Sequence, residues 1–331
     1  MTKILVVGAG LIGARHAARV VAHADAELVG IVDPDPERSR GHGAPGFASI
    51  SDVDISVEGV ILATPTDRHA EDVDLAAERG WPVLLEKPVA GSLSDAERVI
   101  AASAKTPVLV GHHRRYHASV TRLRAAVRQG DIGAPVLVSL IWSLRKPDAY
   151  FEGNWRSAGG SPVLINLVHD LDLLRHVMGE VVDVAALGGA EHRQGSRVES
   201  GGIVLRFESG AHGTIAFADT APSPWGFEAG TAENPNIAAS HQDMMWVTGT
   251  HGALSFPSLT QWSGSGSWND PQTATRLDAP HTVPLDAQLD HFLDVIGGAD
   301  PQITAQDAAK TLALALEIEA QLHGQLDGSR G

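Results

Sequence analysis

Residues 1–33 read MTKILVVGAGLIGARHAARVVAHADAELVGIVD. A short apolar run, residues 4–7, stops at Gly8, and Gly8, Gly10 and Gly13 then fall in G-x-G-x-x-G spacing before a helical pattern over residues 11–24. A second apolar run, residues 28–32, ends at Asp33, twenty residues after Gly13. The first glycine permits a tight turn, the second lets a pyrophosphate approach the backbone, and the third lets the helix lie on the strand. The phosphates then meet the helix N-terminus, where Leu11 and Ile12 begin the first turn. The stretch therefore predicts a strand–helix–strand unit that binds a dinucleotide. Asp33 stands where a carboxylate meets the adenosine ribose hydroxyls, which favours NAD because a carboxylate repels the 2′-phosphate of NADP. Arg38 and Arg40, a few residues on, keep NADP as the lesser alternative.

The alternation continues. Residues 59–63 read as a strand, TPTDRHA (64–70) as its exit and residues 67–79 as an amphipathic helix. Residues 82–85 form another apolar run, and LLEKPV (84–89) places Glu86, Lys87 and Pro88 at its end. Ser94 to Glu97, SDAE, reads as a capping box starting the next helix, and strand 108–110 delivers GHHRRYH (111–117), with Arg114, Arg115 and Tyr116. Such alternation implies a parallel sheet with helices on both faces, and ligands gather beyond the carboxyl ends of such strands. Lys87 is thereby expected at the mouth of a site, where it, Glu86 and Arg114 are candidate cofactor contacts.

Composition sets the outer limits. At 331 residues the chain is long enough for two domains with separate cores. A formal charge of −15 argues against nucleic acid or an anionic membrane as partner. The apolar runs are far shorter than the roughly 20 residues that span a bilayer, and the N-terminus is expected to be a strand rather than a secretion signal. The absence of cysteine excludes disulfides, thiolate metal sites and cysteine nucleophiles, and it fits a cytoplasmic setting. His112, His113 and His117 lack a carboxylate at ligand spacing, so no metal is expected.

The second half is strand-rich: PVLVSLIWSL (135–144), then residues 181–187, 202–207, 213–217 and 244–248, with one helix over residues 164–177. This reads as an α+β domain with a large, mostly antiparallel open sheet, one face on the helix and the other free for subunit contact. Residues 259–275 read as a loop, and 286–296 and 304–323 as helices. The expected division is residues 1–117, 118–283 and 284–331, with the last helices packing back toward the first domain. RKPDAYFEGNWRSAGG (145–160) suits a substrate loop. Tyr150 and Trp155 are candidates to stack on a ring, Arg115, Lys146 and Arg156 to hold an anion, and Tyr116 to join them.

GAGLIG with Arg15-His16, TPTDRHA, EKP and GHHRRY, in this order and approximate spacing, resemble the Gfo/Idh/MocA family, named from glucose-fructose oxidoreductase, inositol dehydrogenase and a rhizopine-catabolism protein. The resemblance covers nearly the whole chain. It implies an NAD(P)-dependent oxidoreductase acting on a secondary hydroxyl of a sugar, cyclitol or related cyclic polyol, an acidic one among the options. It further implies a homodimer or homotetramer through the second sheet. Lys87 would be the acid/base, a cis bond would precede Pro88, and Thr64, Pro65, Thr66 and His69 would line the nicotinamide side.

In SPVLINLVHDLDLLRHVMGE (161–180), His169 matches the family's histidine, whereas Ile165 stands where its aspartate is expected. Isoleucine neither accepts nor relays a proton, so Asn166 or Asp170 would supply the missing contact, or His169 and Lys87 would act without it. Asp172, three residues after His169, is the better orienting partner. Two alternatives stay open: a redox-assisted glycosidase or lyase with retained NAD, and a non-catalytic NAD or sugar sensor.

Overall fold

The computed structural model describes residues 1–151, 161–188, 192–193, 198–264 and 266–328, with side chains described through residue 323. They form two compact units, Met1–Tyr116 with Thr282–Ala313, and His117–His281 with Leu314–Gly331.

The first unit is built on a six-stranded, all-parallel sheet in the order β3-β2-β1-β4-β5-β6. Its strands are β1 Thr2–Val7, β2 Ala26–Val32, β3 Gly46–Phe47, β4 Gly59–Leu62, β5 Val83–Leu85 and β6 Val108–Val110, and its helices α1 Leu11–Ala22, α2 His69–Glu78 and α3 Leu93–Ala102. Strands β4 and β5, and β1 from Ile4 to Val7, are buried throughout because both faces are covered, which is why they read as unbroken apolar runs. The register levels their exits. Val7 lies beside Val32 and Leu62, Leu62 beside Leu85, and Leu85 beside Val110, so Gly8, Asp33, Ala63, Glu86 and Gly111 emerge along one edge. The cap of α3 lies two residues before the expected Ser94. The Ser92 hydroxyl accepts the Asp95 N–H at 3.1 Å, because G-S-L-S-D offers the S-x-x-D pattern two residues earlier.

The second unit carries an eight-stranded sheet in the order β14-β13-β12-β11-β7-β10-β9-β8. Its strands are β7 Pro135–Ser143, β8 Val181–Gly188, β9 Ser200–Phe207, β10 His212–Ala218, β11 Met245–Gly249, β12 Gly252–Phe256, β13 Thr260–Ser263 and β14 Thr273–Arg276, and its helices α4 Ala118–Gln129 and α5 Val168–Met178. Among these strands only β7 and β10 pair in parallel. Burial alternates along β9 and β10. Ile203, Leu205, Ile215 and Phe217 point into a core shared with Val138, Leu140, Trp142, Leu123 and Leu171.

Four of these elements depart from the sequence expectation, one of them strand β12, where no strand is expected. Residues 259–275 are not a plain loop, for β13 and β14 form a hairpin on the sheet edge. The helix α4, capped by the His117 side chain and closed by left-handed Gly130, is a second helix under the sheet.

After the sheet come α6 Pro284–Ile296 and α7 Ala305–Gly328. Residues 284–331 form no unit of their own. Helix α6 and α7 through Ala313 belong to the first unit, while Leu314 onward belongs to the second, whose core takes Ala315, Ile318 and Leu322. Among the described residues no helix is long and apolar enough to cross a membrane.

Candidate dinucleotide cradle and substrate helix

In the first unit, Gly8 has φ +87°, and a Cβ there would meet the Ala63 carbonyl. A Cβ on Gly13 would collide with the Gly8 carbonyl, while one on Gly10 would meet nothing within 4 Å. Two of the glycines thus close the turn and seat α1 on β1, and the third leaves open space over the backbone. Gly10 is the N-cap of α1 and makes no side-chain cap, no acid lies in the first turn, and Leu11 is 78% exposed. The first amides of α1 therefore face outward with the positive end of the helix dipole, as a pyrophosphate requires. At the end of β2, Asp33 accepts the Ala9 N–H through Oδ2 at 2.8 Å and the Asp35 N–H through Oδ1 at 2.9 Å. This fixes its carboxylate at the rim of the glycine turn. Arg38 is 3.4 Å from Asp35 and Arg40 is 2.5 Å from Glu37, so both arginines have acidic partners in their own loop.

The next two exits are tied together. Thr64 donates to Asp72 Oδ2 at 2.7 Å, and His69 lies between the carbonyls of Thr64 (3.0 Å) and Pro88 (2.9 Å). Burial pushes the His69 imidazole below its ordinary value, although both carbonyls and the Glu86 and Asp72 carboxylates pull the other way. Burial likewise pushes the Asp72 carboxyl up against the Thr64 bond and Arg68. Pro65 and Thr66 lead into a 3-10 turn, Thr66–Arg68, with Pro65 exposed and Thr66 half-buried.

Beyond β5 the Lys87–Pro88 peptide is cis and Lys87 is half-buried. Glu86 is buried. Its Oε1 lies 2.8 Å from His16 Nε2, and its Oε2 accepts the Lys87 N–H at 3.2 Å. Burial alone would raise the Glu86 carboxyl, but the hydrogen bond and charge of His16, with His113 and Lys87, lower it to about 2. After β6, Arg114 is buried, Arg115 Nη1 pairs with Asp307 Oδ2 at 2.6 Å, and the Tyr116 ring lies 5.9 Å from that of His291. Burial raises the Tyr116 phenol. Arg115, expected to be an anion holder, thus spends its guanidinium on tying this turn to α7.

In the second unit, a π-helical turn, Val163–Leu167, runs directly into α5. Asn166 lies on the wide turn, a distortion frequent at functional sites. Its Oδ1 accepts from Lys146 Nζ at 2.6 Å, and the ammonium, 7% exposed as a residue, lies 5.0 Å from the Tyr150 ring, 5.6 Å from Trp142 and 6.0 Å from Phe151. Ile165 is half-buried on the same turn, and His169, Asp170 and Asp172 are all buried on α5. The Leu164 amide donates to Glu319, whose carboxyl is raised by burial against the pull of His323. Trp155 and Arg156 lie outside the described residues.

Several participants had weak signals in the sequence. His16 is a polar residue on the buried stripe Gly13, His16, Ala17, Val20, and that position was the readable clue. Arg193 gave none. It holds the Lys146 carbonyl at 2.8 Å, Asp219 at 2.8 Å and Asp148 at 3.1 Å, and lies 4.8 Å from the Phe151 ring, thereby pinning the loop that carries Lys146.

Comparison with known proteins agrees with this architecture. Residues 2–113 match the Gfo/Idh/MocA oxidoreductase family with its NAD-binding Rossmann fold, and residues 120–255 match the family's C-terminal domain. A myo-inositol 2-dehydrogenase from Thermotoga maritima is 30% identical over 64% of this chain and 67% of its own. A 1,5-anhydro-D-fructose reductase from Ensifer adhaerens is 28% identical over 93% and 94%. The fold is shared with an Agrobacterium radiobacter oxidoreductase solved with NAD+, L-tartaric acid and magnesium, at a TM-score of 0.79 and 19% identity over 97% and 96%. With both family domains matched in order and the dinucleotide cradle formed, the chain belongs to the Gfo/Idh/MocA family and is an NAD(P)-dependent oxidoreductase.

Proposed function

We propose that the protein oxidises a secondary hydroxyl of a cyclic polyol and uses NAD in preference to NADP. One observation supports this most strongly: Lys87 leaves β5 over a buried, ionised carboxylate, on the edge of the sheet that also carries the glycine turn. The amides of Leu11, Ile12 and Gly13 would hold the pyrophosphate and Asp33 the adenosine ribose, with Thr64, Pro65, Thr66, Glu86 and Arg114 toward the nicotinamide end. When bound, the nicotinamide supplies the acceptor for the hydride from the substrate C–H. Lys87 takes the hydroxyl proton, which leaves the carbonyl product neutral. In the second unit, His169 and Asn166 are assigned to substrate hydroxyls, with Asp172 orienting His169. Asn166, three residues before His169 and so a neighbour of it on the helix surface, is the candidate for the polar contact that Ile165 cannot make. Lys146 is the candidate for an acidic substituent, and it stands in for Arg115, which is engaged by Asp307.

The preference for NAD rests on the Asp33 carboxylate and on the acidic partners of Arg38 and Arg40. The test is incubation with NAD or NADP and a panel of inositols, sugar acids and glycosides, following NADH absorbance and substrate mass together. The expected result is NADH formation on at least one polyol, with NAD favoured over NADP by about tenfold or more in kcat/KM. Loss of substrate without net NADH would replace this reading with the redox-assisted elimination. NAD binding with no turnover on any compound would favour a sensor.

The outer face of the second sheet is proposed as the subunit contact. Leu137, Leu187 and Val204 are exposed on it, with Ser139 and Thr214 between them. Exposed apolar residues clustered on one open sheet face mark an association surface. Val204→Glu is expected to lower the molar mass measured by light scattering to that of a smaller assembly. An unchanged mass would place the contact elsewhere.

A further inference from the structure

His16 lies outside every binding role assigned above, yet it is buried on α1 with Nε2 2.8 Å from Glu86. The carboxylate only accepts, so Nε2 carries the proton. The other carboxylate oxygen takes the Lys87 amide at 3.2 Å, and the Glu86 N–H donates to the Leu62 carbonyl at 2.9 Å. Gly111 closes the space from the β6 side. A Cβ there would stand 3.1 Å from the Leu85 carbonyl and 3.4 Å from the Glu86 carboxyl carbon, so the β6 exit runs close beside the carboxylate. The charged and titratable groups facing Glu86 are His16 from α1, His113 from the turn after β6, His69 from α2 and Lys87 next along the chain.

We propose that His16 is a positioning residue for Lys87, holding the Glu86 carboxylate where it grips the Lys87 amide and keeps a negative charge within electrostatic reach of the Lys87 side chain. The inference rests on the reading of Lys87 as the acid/base group. Without a donor from α1, a carboxylate this buried takes up a proton, and that negative charge is lost. A glutamine at position 16 keeps a donor for Glu86, whereas a leucine does not.

The test follows the Lys87 amine by NMR in protein labelled with 13C at lysine Cε, saturated with NAD, the Lys87 signal being the one lost in Lys87→Met. In His16→Leu and in Glu86→Gln the midpoint of the Lys87 titration is expected about one pH unit below that of the wild type, since removing one nearby charge is worth roughly that much. In His16→Gln it stays where it was. Should His16→Leu not fold, Glu86→Gln against His16→Gln decides the matter. A Lys87 midpoint unmoved in Glu86→Gln, or moved as far in His16→Gln as in His16→Leu, would overturn the proposal. The titration needs no turnover. If the polyol panel gives no NADH while the midpoints move as expected, the dehydrogenase reading fails and the role of His16 stands.

Discussion

Lys87→Met lowers kcat on the preferred polyol by a factor of about 10² to 10⁴, the usual range for loss of a positioned general base, while NAD affinity changes less than about threefold. The two halves of this expectation come from different atoms. The methionine stem fills the volume of the lysine stem but has no amine to receive the hydroxyl proton. The contact between residue 87 and Glu86 runs through the backbone N–H, which the substitution leaves in place. Glu86 also keeps His16. The cradle for the pyrophosphate lies at the exits of β1 and β2 and does not involve the Lys87 side chain. Single-turnover absorbance of NADH, together with calorimetric titration of NAD, separates the effects. A kcat loss under tenfold would remove Lys87 from the chemistry, and an equal loss in NAD affinity would make it a binding residue instead.

The first unit was legible because a parallel sheet covered on both faces needs unbroken apolar strands, and because each strand exit carries its polar residues in one short motif. That Asp33 and Lys87 follow strand ends can be read from the sequence, whereas the acid/base role of Lys87 is implied by the family resemblance. The sheet of the second unit was legible only where one face is buried. At the edge, TQWS and TATR are held by backbone pairing to a neighbour, with no buried side to impose alternation, so β13 and β14 read as loop. Helix α4 carries little sequence signal because histidine is an unusual cap and the helix is rich in arginine; Gly130 is its one plain terminal signal. Partners set by tertiary packing left still less trace. Nothing in the sequence joins Arg115 to Asp307, or Arg193 to Asp219, across 192 and 26 positions. The π turn that carries Asn166 left no trace either, since a helical reading counts residues at 3.6 per turn.

Gly13→Ala is expected to weaken NAD binding by about 10² or more and also to lower the melting temperature of the free protein by a few degrees. The added methyl would run into the Gly8 carbonyl and stand 3.4 Å from the Ala63 Cβ. Neither obstacle is the flexible end of a side chain. The Gly8 N–H is bonded to the Val32 carbonyl at 2.7 Å and the Ala63 N–H to the Val7 carbonyl at 2.7 Å, so both backbones are held by the sheet. Helix α1 must therefore retreat from β1, carrying its first amides away from the phosphate position and loosening Ala17 and Val20 from the core. Overpacking of this kind costs about 1–3 kcal/mol, which accounts for the stability loss. Gly10→Ala is the informative contrast, because a Cβ there meets nothing within 4 Å and the residue has φ −66°. It should leave the melting temperature of the free protein nearly unchanged and weaken NAD alone, by occupying the open space through which the phosphates approach. Thermal unfolding by circular dichroism and NAD titration by calorimetry on both variants give four numbers. If Gly10→Ala binds NAD as tightly as the wild type, the pyrophosphate does not lie over residue 10. If Gly13→Ala melts with the wild type, the helix has moved without cost and the close approach of α1 to β1 is not what the glycine serves.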